Sequence, residues 1–99
     1  MAKTPCEQNH WHIIPTIRRE IAICLVEVFD LTQSEAARKL DLTPAAISQY
    51  MSGKRGNGGF DKDIQYEVAY SAELIHKNGK TSVQAELCRL CALIRKKER

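Results

Sequence analysis

The segment QSEAARKLDLTPAAISQYMSGKR, residues 33–55, constrains the fold more than any other part of the chain, because two short helix signatures are separated by only a tight turn. Thr32 and Glu35 have the spacing of a capping box, in which each side chain takes the other's backbone N–H, so a helix is predicted to begin at Gln33 and end near Leu40. Gln33, Ala36, Ala37 and Leu40 share one face of it; Ser34, Glu35, Arg38 and Lys39 share the other. The small Ala37 lets a second helix cross closely. Asp41-Leu42-Thr43 forms the turn, with Leu42 as its apolar plug, and Thr43-Pro44 supplies an N-cap followed by proline at the first helical position. A second helix then runs from Pro44 to about Ser52. The caps, the small residues and the basic exit fall in the order that a helix-turn-helix over residues 32–53 requires, which a plain helical hairpin would not need.

The second helix carries the chemistry. Ile47, Tyr50 and Met51 form its predicted inward face, leaving Ala45, Ser48, Gln49 and Ser52 outward. That outward edge is slender and uncharged, and it suits a major groove, where Ser and Gln pair with base edges and an alanine methyl touches thymine. Gly53 is expected to end the helix in a left-handed conformation, and Lys54 and Arg55 follow where a phosphate backbone would pass. Gln33 and Ser34, at the positive end of the first helix, and Thr43, at the entrance of the second, complete the expected contact set.

At this point the chain resembles small archaeal and bacterial transcriptional regulators with an XRE-type, lambda-repressor-like helix-turn-helix. The specific match is QSEAARKLDLTPAAISQYMSGKRG; PCE at residues 5–7, the IPTIRREIA run and CRLC near the end match more loosely. The resemblance implies sequence-specific binding of double-stranded DNA and an all-α, five-helix fold. Asp41 departs from the pattern, which commonly has glycine in the turn. An aspartate can adopt the left-handed conformation, so the turn is weakened and not abolished.

Length and charge set the outer bounds. With 99 residues and 43% hydrophobic composition the chain makes one domain on one core, and no apolar run approaches the roughly 18 residues of a membrane span. The start of the sequence lacks the pattern of a secretory signal, so the cytoplasm is the expected compartment. The net charge of +3 permits a nucleic-acid partner without arguing strongly for one. Residues 1–14 read as an arm containing Cys6 and the His10-Trp11-His12 segment; metal ligation by these histidines competes with a simpler reading in which the tryptophan packs and the imidazoles face solvent. Residues 15–99 read as the DNA-binding domain. A helix from Pro15 to about Asp30 has Ile14, Ile17, Ile21, Cys24, Leu25 and Val28 as its predicted core face, and Ile23 and Val26 imply neighbours on a second side.

A glycine-rich loop, residues 56–59, either lies against phosphates or is an ordinary link, and Phe60 anchors its far end. Helices are predicted over 61–78, with the stripe Ile64, Val68, Ala72 and Ile75, and over 82–97, with Val83, Leu87, Leu90 and Ile94. Tyr66 and Tyr70, four apart, could stack across a homodimer interface or simply stand exposed. No paired carboxylates or nucleophile-base arrangement points to an enzyme. A protein-interaction module, such as an antitoxin or an adaptor, could use the same bundle.

Cys88 and Cys91, one helical turn apart, are expected to place their sulfurs on one flank, with Cys6 as a third ligand and Cys24 as the least certain. Thiolate-rich ligation would select zinc or an iron-sulfur cluster. Against this stands the reading of all four as inert thiols in a reducing compartment. The resemblance leans toward a metal- or redox-responsive site.

Overall fold

The computed structural model describes residues 13–53 and 60–97, and among these every regular element is helical. In chain order they are α1 (Ile13–Glu27), α2 (Gln33–Leu40), α3 (Pro44–Ser52), α4 (Lys62–Asn78), a 3-10 turn (Gly79–Ser82) and α5 (Val83–Lys97). No helix among the described residues is long and apolar enough to cross a membrane.

Helix α1 is the hub and packs against each of the other four. This follows from its composition: Ile17, Ile21, Ala22 and Leu25 are fully enclosed and Ile14 and Ile23 nearly so, so apolar side chains leave the axis in more than one direction. The second side predicted from Ile23 is therefore occupied within this chain. The expected stripes of α4 and α5 are buried together with Cys91 and Ser71.

The ends of α1 differ from expectation. It starts at Ile13, not Pro15, and stops at Glu27, not Asp30. Asp30 adopts φ 63°, and the Phe29 N–H reaches back to the Cys24 carbonyl (3.3 Å) while that of Leu31 reaches Leu25 (3.1 Å), so the chain unwinds through a widened turn. Val28 is carried off the core face by that turn and is 67% exposed, and Cys24 is only half-buried, beside a cleft of about 320 Å³ with Glu20, Glu27 and Phe60.

Helix α4 is capped by Asp61, whose Oδ1 accepts from the Ile64 N–H (2.9 Å), and it ends at Gly79, with φ 73° and ψ −159°. The 3-10 turn then delays α5, which begins at Val83 instead of at residue 82. Across α4 and α5 runs a polar clasp. Arg89 Nη1 donates to Glu67 Oε1 (2.6 Å), Nε to Glu86 Oε1 (3.0 Å) and Nη2 to Ser71 Oγ (2.6 Å), and the buried Ser71 hydroxyl donates to Glu86 (2.7 Å). Burial opposes the Arg89 charge, but the bonds to Glu67 and Glu86 outweigh it and hold the guanidinium above its ordinary pKa.

Candidate nucleic-acid interface

The helix pair forms as its caps dictate. The Thr32 N–H donates to Glu35 Oε1 (2.8 Å) and the Glu35 N–H to Thr32 Oγ1 (3.0 Å), which completes the capping box. The hydrogen bond from the Thr32 backbone, and after it the Thr32 side chain, holds the Glu35 carboxyl below its usual value. Thr43 Oγ1 accepts from the Ala46 N–H (3.1 Å), with Pro44 in the first turn. Between the helices Asp41 takes φ 58° and ψ 44°, the left-handed conformation a glycine would otherwise supply, and the Leu42 N–H donates to the Ala37 carbonyl (2.8 Å).

Ala36, Ala37 and Ile47 are fully buried where α2 crosses α3, and Leu42, Tyr50 and Met51 pack half-buried on the same core. The small alanines permit that approach, and the approach rotates the opposite edge of α3 outward. Ala45, Ser48, Gln49 and Ser52 are all exposed, as are Gln33, Ser34 and Thr43. Two details differ from the sequence reading. Gly53 has φ −92° and so is not in the expected left-handed conformation, and its N–H closes the helix on the Gln49 carbonyl (3.0 Å). Ser52 donates its hydroxyl proton to the same carbonyl (3.2 Å), leaving it mainly an acceptor. Lys54 and Arg55, expected on the phosphate backbone, lie outside the described residues, as does the loop 56–59.

Lys39 was given no role by the sequence reading, yet it ties this unit to the scaffold: its Nζ donates to the His76 carbonyl near the end of α4 (2.8 Å). A cation in the last turn of α2 was a visible signal, but its partner lies far along the chain. The contact holds α2, and through it α3, at a set angle to the bundle.

The cysteines are not assembled by the described part of the molecule. Cys6, His10 and His12 lie outside it, and among the described residues no group of three metal-ligating side chains comes together. Cys91 is wholly enclosed in the core, whereas Cys88 is half-buried and its sulfur accepts from Gln84 Nε2 (3.3 Å), so the pair does not share one accessible flank. Burial, and then the charges of Glu20 and Glu27, push the Cys24 thiol above its ordinary pKa. Among the described residues, Cys24, Cys88 and Cys91 are not gathered into one group.

No family model matches the chain, and no curated protein and no solved structure matches it.

Proposed function

We propose that the chain is a sequence-specific DNA-binding transcriptional regulator of the cytoplasm, built as a five-helix lambda-repressor-like bundle of the XRE type. The observation that carries this reading is the division of α3: Ile47 is sealed in the core while Ala45, Ser48, Gln49 and Ser52 form an exposed, uncharged edge. A small, uncharged edge of this kind suits a major groove, where Ser and Gln can pair with base edges. In this reading Gln49, Ser48 and Ala45 read bases, and Gln33, Ser34, Thr43, Lys54 and Arg55 position the backbone. A homodimer places two copies of α3 in successive grooves, so the operator is roughly palindromic with half-sites about one helical turn apart.

Selection of bound fragments from genomic DNA, with and without oxygen, tests the proposal directly. Gln49→Ala is expected to cost about 1 to 3 kcal/mol at a single base position, and Arg55→Ala to weaken all sequences alike while reducing the salt slope by about one contact. Equal losses for Gln49→Ala on operator and random DNA would remove its base-reading role.

A second reading, a protein-interaction module such as an antitoxin or an adaptor, draws on Tyr66 and Tyr70 of α4, which stand 75% and 49% exposed. Failure to bind any DNA at physiological salt, together with a stable protein partner, would favour it. The metal- or redox-responsive part of the proposal has Cys6 join Cys88 and Cys91, with Cys24 the least certain ligand. Anaerobic purification followed by elemental analysis tests it: protein with neither colour nor zinc leaves these thiols as packing residues.

A further inference from the structure

Behind the turn that joins α2 to α3, a cleft of about 370 Å³ opens against α1 and the start of α5. Its lining divides into an apolar set, Leu40, Leu42, Val83 and Leu87, a donor set, Arg18, Lys80 and Gln84, and the carboxylate of Asp41, which pairs with Lys80. Two observations give it chemistry. Arg18 Nε is buried and has no hydrogen-bond partner among the described residues, although a guanidinium keeps its charge and a buried donor left without an acceptor is a standing cost. Lys80 pairs with Asp41 at 3.7 Å with both groups largely exposed, a contact that water and salt screen easily.

We propose that this cleft binds a small carboxylic acid with a short hydrocarbon body. The carboxylate takes the donors of Arg18 and Lys80, and the hydrocarbon lies against Leu42, Val83 and Leu87. A guanidinium fork matches a planar carboxylate, and the volume falls at the lower end of the roughly 300 to 1,000 Å³ typical of small-molecule sites. Because Leu40, Asp41 and Leu42 line the cleft and are also the turn of the helix pair, an occupant bears on the angle between α2 and α3. Binding stands on the cleft alone; its effect on DNA rests on the reading proposed above.

The test is an amide-resolved NMR titration of the full chain with hexanoate, with hexanol and inorganic phosphate as controls. The expected result is a saturable hexanoate response at residues 40–42 and 83–87 that weakens about tenfold or more in Arg18→Gln, a loss of the size a charged hydrogen-bond partner supplies. Gln84→Trp, at an exposed position of α5, should fill the cleft and abolish the response while the protein stays folded. The proposal is overturned if hexanoate gives no saturable response, if folded Arg18→Gln or Gln84→Trp binds it unchanged, or if hexanol or phosphate binds as tightly. Operator affinity measured with and without hexanoate is a separate arm. A chain that binds no DNA still gives a decisive titration, so the two readings fail separately.

Discussion

Asp41 shows how one residue can be tolerated at a site shaped for another. Its φ of 58° lies where side chains beyond glycine are strained, and aspartate is among the few that enter it at modest cost. Asp41→Gly is expected to leave the chain at least as stable, whereas the β-branched Asp41→Val should lose about 1 to 2 kcal/mol in urea unfolding. Glu35 makes a prediction about pH. Its folded pKa lies below the ordinary carboxylate value, so its contribution is complete above that ordinary value and is lost as pH falls through the folded one. Glu35→Gln keeps an acceptor for the Thr32 N–H but cannot titrate. The stability difference between wild type and Glu35→Gln should therefore shrink on acidification, as melting curves across the acidic range would show.

At the scale of elements, the ends of helices matter more than their middles. Gly79 has a φ of 73° with ψ near full extension, a region essentially confined to glycine, and a Cβ built there would touch nothing within 4 Å. The requirement is thus one of backbone conformation and not of space. Gly79→Ala should cost about 1 to 3 kcal/mol, and Gly79→Asn, which a left-handed helical cap would accept, should be no better. Denaturant midpoints of the two variants check this, and full tolerance of asparagine would show that the turn relaxes. Helix α3 is the contrasting case. Gly53, at φ −92°, closes it with no such demand, and its N–H makes an ordinary helical bond to the Gln49 carbonyl.

For the whole molecule, the Arg89 clasp fixes how α5 lies on α4, and the same guanidinium sits 5.4 Å from the Tyr70 ring centroid. Arg89→Ala leaves Glu67 and Glu86 facing each other near a buried hydroxyl. Since Arg89 and Glu67 are about one-third exposed, the loss should be about 2 kcal/mol, below the 3 to 5 of a fully buried pair. Arg89→Lys should recover only part of it, because an ammonium cannot span three acceptors in one plane. Unfolding of the two variants against wild type measures both effects.

Residue order alone determined the N-caps, the turn and the inward and outward faces of α2 and α3, because these depend on contacts between near neighbours in the chain, though it did not determine the conformation of Gly53. It also determined the apolar stripes of α4 and α5, where a helical repeat shows plainly. Only the tertiary structure decided how far α1 extends, that Val28 leaves the core and that Cys91 enters it while Cys88 does not. It likewise decided that Lys39 meets the His76 carbonyl and that Arg89 meets Glu67 and Ser71. Those outcomes depend on groups distant in sequence, and periodicity within a single helix holds no record of which helix will lie against it.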